Sequence, residues 1–304
     1  MTRIVAIGRR WLAPAVVVVL AACGGSPVTS TSGASAESTA PASPVVLAEG
    51  VISTDAEEYR ISFAPDGATA WFARSDGFFP QSREATIMES RLVDGAWSEP
   101  TVAEFSGEHP DLDPWVSPDG ESIYFSSIRP VDGEERNDVE LFRVDREGDG
   151  WSEPVHLADL GSPTDELGAS VDENGTVWFA SDRSGGAGGW DIYSATRTDG
   201  GHAEPAAAAI NSAVWEFNPA IDAAGTTLVF TSISRDGASG LGDLYVTTAT
   251  DDTWSDPAPL TVNTAGDEYH ASRSPDGSSL YFARRAGDGD LYVVAWSGAT
   301  AAAP

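Results

Sequence analysis

Between about residues 44 and 297 the chain alternates short apolar runs with polar turns, and it repeats the same sequence of runs five times. The clearest run ends in Phe72, Phe125, Phe179, Phe230 and Phe282, spaced 53, 54, 51 and 52 residues apart. Ahead of each lies a turn: Pro65-Asp66-Gly67, Pro118-Asp119-Gly120, Asn174-Gly175, Ala224-Gly225 and Pro275-Asp276-Gly277. Proline presets φ and glycine accepts positive φ, so each unit is predicted to open with a β-hairpin. A third run carries Asp191-Ile192-Tyr193, Asp243-Leu244-Tyr245 and Asp290-Leu291-Tyr292, which align with Glu140-Leu141-Phe142 and, less closely, Thr86-Ile87-Met88. A fourth follows Trp97-Ser98-Glu99-Pro100, Trp151-Ser152-Glu153-Pro154, Trp254-Ser255-Asp256-Pro257 and a weaker His202-Ala203-Glu204-Pro205. Four strands per unit and a period near fifty predict propeller blades, because one such sheet buries its faces only against its neighbours.

The fifth unit reaches Trp296-Ser297 and lacks its proline and last strand, whereas the chain offers an orphan Ser43-Pro44-Val45-Val46-Leu47 that matches Glu153-Pro154-Val155-His156-Leu157. The expected fold is therefore all-β: a five-bladed β-propeller of four-stranded antiparallel blades, closed by an N-terminal strand that completes the last blade. Closure of this kind removes the open sheet edges that a linear array would leave. The propeller is placed at 44–297, followed by a disordered tail at 298–304. The Ser-Pro-Asp-Gly hairpins, the strands ending in Phe and the Asp-Ile-Tyr strands resemble the WD-like Pro-Asp-Gly propeller repeat of the TolB type. That resemblance covers about residues 44–297 and implies the fold. For function it implies only a range, from protein-interaction modules to sugar-related proteins to propellers attached to peptidases.

The first 22 residues read as an export signal: Arg3, Arg9 and Arg10 precede an apolar run from Trp11 to Leu20 and then Ala21-Ala22-Cys23. The run is too short for a stable membrane span, and small residues before a cleavage point mark a signal peptide. Leu20-Ala21-Ala22-Cys23 resembles the bacterial lipobox, which implies lipidation of Cys23 and a membrane anchor through it. Residues 23–43 are rich in Gly, Ser, Thr, Ala and Pro, and are expected to form a flexible linker. The protein is thus expected to be exported and lipid-anchored, on the outer face of the cell membrane or facing the periplasm in a two-membrane host.

Charge narrows the partners. The net charge is -30, all 17 basic residues are Arg, and Cys23 is the single cysteine. Nucleic acid is excluded as a partner, because affinity for phosphate backbones comes from basic residues. An internal disulfide and a thiolate metal cluster are excluded as well. No cofactor is expected, with a divalent cation as the one addition so many acids would admit. Asp145 to Asp149 begins like a calcium loop, but His156 stands where the bidentate Glu is needed.

Candidate chemistry concentrates at the start of the innermost strand of every unit, where an acid recurs: Glu58, Asp111, Glu166, Glu216 and Glu268. Arg74, Arg129, Arg183, Arg235 and either Arg284 or Arg285 lie at the same edge after the hairpin returns. Two readings follow, a carboxylate–guanidinium pair repeated in each blade, or an acidic ring at the channel mouth. Two residues on from each acid stand Arg60, Asp113, Gly168, Asn218 and His270, a mixed set that would line a funnel and orient a polar ligand. Trp115, Trp190, Trp215 and Phe78-Phe79 offer stacking faces for a sugar, or simply packing between blades.

The sequence therefore predicts a monomeric envelope module that binds an envelope protein or a polar or carbohydrate ligand at this mouth, with no catalytic residue. The alternative is a glycosidase using Asp113 with Glu216 or Glu268, which requires two carboxyl groups in unlike environments across a glycosidic bond.

Overall fold

The computed structural model describes residues 42–77, 82–251, 253–285 and 289–300. The export signal, most of the linker and Phe78-Phe79 lie outside the described residues. The described chain forms a five-bladed propeller of antiparallel blades. From axis to rim, the first blade contains Glu57–Phe63, Thr69–Ser75, Ala85–Val93 and Thr101–Val102. The second contains Asp111–Val116, Ser122–Ser127, Glu140–Glu147 and Val155–His156. The third contains Glu166–Val171, Val177–Ser181, Asp191–Ala195 and Ala206–Ala207. The fourth contains Trp215–Ile221, Thr227–Ile233, Gly242–Thr250 and Ala258–Pro259. The fifth contains Asp267–Arg273, Ser279–Arg285 and Gly289–Ala295, and its rim strand is Val45–Val46 from the other end of the described chain.

The repeated residues make the repeated geometry. Phe72, Phe125, Phe179, Phe230 and Phe282 are fully buried on the second strands. In four blades this ring stacks on the third-strand aromatic: Phe125 on Phe142, Phe179 on Tyr193, Phe230 on Tyr245 and Phe282 on Tyr292, with centroids 5.9–6.2 Å apart. Met88 takes the aromatic's place opposite Phe72. The Trp-Ser-x-Pro motif has its own task. Past the sheet edge the third strand switches partner, and there the hydroxyls of Ser98, Ser152 and Ser255 accept the N–H groups of Arg91, Asp145 and Thr248 at 3.0–3.1 Å. The tryptophans then reach the preceding blade: Trp151 meets Trp71 edge-on at 5.8 Å, and Trp254 meets Trp178 at 5.3 Å.

Closure follows the sequence pattern. Val45 pairs with Val293 and Val46 with Tyr292. The Leu47 N–H donates to the Leu291 carbonyl at 2.8 Å, and Ser53 Oγ donates to the same carbonyl at 3.2 Å. The expected tail at 298–304 needs correction at its start. Trp296–Ala299 is a single helical turn, Ala299 is buried, and its carbonyl accepts the Thr261 N–H at 2.8 Å. With the rim position already filled by Val45–Val46, the chain leaving the third strand folds over the end of its blade, and residues 298–300 belong to the propeller.

A chain that begins at Ala48 loses the rim strand of the last blade together with the buried side chain of Leu47. Compared with one that begins at Ser43, it is expected to be less stable by about 3 kcal/mol in chemical denaturation. It is also expected to self-associate in sedimentation analysis through the uncovered edge of Gly289–Ala295.

Candidate functional site

The five acids are all fully buried, and each is gripped from two sides. The first grip is the arginine that returns on the second strand or just beyond it. Arg74 lies 2.8 Å from Glu58, Arg129 2.7 Å from Asp111, Arg183 3.2 Å from Glu166, Arg235 3.7 Å from Glu216 and Arg284 2.7 Å from Glu268. Arg284 thus takes the place that the sequence left open between it and Arg285. The second grip is a hydroxyl on the loop leading into the blade. Thr54, Ser162, Ser212 and Thr264, each four residues before its acid, donate both hydroxyl and backbone N–H to it at 2.5–3.0 Å. Where the acid is the shorter Asp111, Ser106, five residues earlier, donates its hydroxyl alone at 2.8 Å.

Each arginine also ties down the incoming loop. It donates to the carbonyls of Val51 and Ile52, or of Phe105, Leu160, Ile210 or Val262. Its guanidinium lies over the second-strand Phe of its own blade at 4.9–5.7 Å. Charge-assisted hydrogen bonds and ring contact together offset the cost of burying the pair. Burial still pushes the Glu58, Glu166 and Glu216 carboxyls above the ordinary range, against the pull of hydroxyl, backbone N–H and arginine. Desolvation is the larger effect at these three. The repeated unit is therefore an acid–arginine buckle, and the serine or threonine ahead of each acid is the member that the sequence reading missed. Its signal was present as a hydroxyl residue recurring four positions upstream.

At the axis every innermost strand breaks register directly after its acid, and the extra residue takes positive φ. These residues are Arg60, Asp113, Gly168, Asn218 and His270, with φ between 48° and 62°. Glycine adopts this conformation freely, Asn, Asp and His more readily than most, and arginine seldom. The structure brings these five residues together, and at their level the side chains fill the axis in place of an open funnel. Arg60, Asp113, Asn218 and His270 are 0%, 2%, 1% and 6% exposed. Arg60 Nη2 crosses to the Pro219 and Ala169 carbonyls at 2.8 and 3.2 Å, and its guanidinium lies 4.8 Å from the Trp115 ring. His270 Nδ1 is 3.1 Å from Asp113 Oδ1, Asn218 Nδ2 is 3.5 Å from Asp113 Oδ2, and the His270 ring stacks on Tyr59 at 4.8 Å. A Cβ on Gly168 would stand 2.7 Å from Asn218 Nδ2, so glycine is needed there for space as well. Burial pulls the Arg60 guanidinium down to about 10, partly opposed by the Asp113 charge.

These contacts bear on the hydrolytic pair. Asp113 faces His270 and Asn218, while Glu216 and Glu268 are held by Arg235 and Arg284 and by Ser212 and Thr264. None of the three stands free at an open mouth. Among the described residues no group of three or more His, Cys, Asp or Glu side chains could hold a metal ion. Asp145, the first residue of the apparent calcium loop, is taken by Ser122 Oγ and Arg143. Of the aromatic candidates, Trp115 is buried under Arg60, Trp190 is packed against the core, and Trp215 is 49% exposed.

Open space lies at one end of the axis, where innermost-strand residues of all five blades line a cavity, and in clefts away from it. On the face formed by the hairpin turns, a cavity of about 150 Å³ is lined by Phe63, Pro65, Trp115, Ile221, Arg273 and Pro275, among others. On the opposite face, where the acids lie, a cleft of about 560 Å³ runs from the first blade to the lead-in of the second, and another of about 620 Å³ lies between the second and third.

No family model matches this chain, and no curated protein matches it. Solved structures do. A putative TolB from Agrobacterium tumefaciens is 16% identical with a TM-score of 0.52, covering 81% of this chain and 80% of its own. An alpha-L-arabinofuranosidase from Lactobacillus brevis is 14% identical with a TM-score of 0.51, covering 81% and 90%. A glycoside hydrolase is 10% identical with a TM-score of 0.54, covering 80% and 89%. At such identities the likeness is one of fold: this chain has the TolB-like β-propeller fold, which both binding proteins and sugar-cleaving enzymes use.

Proposed function

We propose that the chain is a non-catalytic binding module of the bacterial cell envelope, held at a membrane through lipidated Cys23 and recognising a partner protein or polar ligand on the face where the acids lie. One observation carries the choice of binding over hydrolysis. All five acids of the innermost strands are engaged by an arginine and a hydroxyl of their own blade. A retaining or inverting glycosidase needs one carboxyl kept protonated and a second left ionised, facing each other across room for a sugar. Five near-identical buckles around a filled axis do not supply that contrast. A binding surface needs only a rigid frame, and the buckles give one.

The Leu20-Ala21-Ala22-Cys23 motif and the linker that follows support the anchored location. A partner in the envelope is favoured over nucleic acid by the same excess of acids that repels phosphate.

The experiment is a panel of aryl glycosides and plant and bacterial oligosaccharides, assayed for both turnover and thermal shift of the chain from Ser43 onward. The expected outcome is no turnover above the buffer blank. A saturating ligand, at about 100 times its Kd, would raise stability by about 2.7 kcal/mol if it binds the folded state alone. Turnover abolished by Asp113→Asn would overturn the proposal in favour of the glycosidase.

A further inference from the structure

The five junctions between blades are not equivalent on the acid face, and glycine decides which are closed. Between the third and fourth blades the loop 186–190 lies directly on the loop 212–215: a Cβ on Gly188 would stand 1.9 Å from the Val214 carbonyl oxygen, and one on Gly189 2.2 Å from Trp215 Nε1. Between the fourth and fifth, a Cβ on Gly240 would stand 2.0 Å from the Gly266 carbonyl oxygen. Backbone presses on backbone, and no groove is left. The corresponding position after the first blade carries Glu84, Ala85 and Thr86, and there the cleft of about 560 Å³ opens.

This cleft has a two-part chemistry. Its floor includes Ala85, Met88, Val102 and Pro110, and Val102 is 51% exposed, one of the few large aliphatic side chains so open. Its rim carries Asp76, Glu84 and Glu108, all exposed. The single arginine of the lining, Arg74, is spent on Glu58. An anionic ligand would be repelled from this rim, and a purely polar one would leave the floor wet. Complementarity requires apolar groups flanked by positive charge.

We propose that this cleft, between the first blade and the lead-in of the second, is the docking groove for a partner protein's extended segment in which aliphatic side chains alternate with Lys or Arg. The inference rests on the reading of the chain as a binding module, and it names the partner class and the place. Aliphatic side chains cover Met88 and Val102, and the flanking cations meet Asp76, Glu84 and Glu108. The third–fourth and fourth–fifth junctions, closed by backbone contact, offer such a segment no equivalent groove, and the cleft between the second and third blades lacks the aliphatic floor.

The test uses the chain with Cys23→Ser and a capped peptide Lys-Leu-Lys-Leu-Lys, with Glu-Leu-Glu-Leu-Glu as its acidic counterpart, followed by fluorescence anisotropy. The basic peptide is expected to bind and the acidic one not. The triple variant Asp76→Asn, Glu84→Gln, Glu108→Gln should weaken binding at least about tenfold, and Val102→Ser about threefold or more, since both charge pairing and apolar cover contribute. A control triple, Glu99→Gln, Glu121→Gln, Glu153→Gln, removes the same charge at exposed sites away from the cleft and should change affinity less than about twofold. Equal weakening by the two triples would reduce the effect to diffuse attraction and overturn the groove, as would failure of the basic peptide to bind. Either failure leaves the binding-module reading standing, because that reading falls only to turnover in the glycoside assay.

Discussion

The buried ion pair between each blade's first acid and its returning arginine is the constraint around which the propeller is organised. A carboxylate with no exposure is tolerable only where enough donors surround it, and here they come from two stretches of one unit: the arginine at the end of the second strand, and the lead-in residue that gives its hydroxyl and, in four blades, its backbone N–H. Satisfying one acid therefore fixes the hairpin, the incoming loop and the angle at which the chain enters the next blade. The ring of Phe beneath the guanidinium joins this polar buckle to the apolar core. Five copies give a frame whose geometry is repeated by chemistry and not by shape alone.

The axis shows what the frame costs. Strands converging on a common line leave no room for regular pairing, and each relieves the crowding with one residue in the left-handed region. Evenly placed side chains at those positions would collide, so the set is uneven: one large cation, one anion, one amide, one imidazole and one glycine. Arg60 spans the ring to reach carbonyls of the third and fourth blades, and Gly168 leaves the space that Asn218 occupies. On the acid face the blades differ in their loops, and the open cleft beside the first blade contrasts with the glycine-sealed junctions on either side of the fourth.

Much of the fold was legible because it repeats. The Phe spacing, the Pro-Asp-Gly turns and the orphan Val45-Val46 predicted blade number, strand order and closure, and the observed pairing of Val45 with Val293 follows that reasoning. The grouping of Arg60, Asp113, Gly168, Asn218 and His270 was legible from their constant offset after each acid. Their filling of the axis was not, since offset gives direction and says nothing of the space available. The upstream hydroxyls were overlooked because Ser and Thr are common in turns and their role appears only with the acid's burial in view. The helical turn at Trp296–Ala299 escaped because small residues near a chain end carry little pattern.

If the acids serve the frame, the Glu166–Arg183 pair is coupled, which a double-mutant cycle followed by chemical denaturation across pH measures. Arg183→Met leaves a buried carboxylate without its cation, and is expected to cost about 3 kcal/mol near neutral pH. Burial already raises the folded-state titration of Glu166 above its unfolded value of about 4.3. Removing the arginine raises it further, so the folded form binds its proton more tightly than the unfolded one does. The deficit is then largest above the folded pKa and shrinks as pH falls through it toward the unfolded value. Glu166→Gln added to Arg183→Met should restore a substantial part, giving a coupling of about 2 kcal/mol. A coupling below about 0.5 kcal/mol with a deficit that ignores pH would contradict the account, because the acid would then be free for some other use.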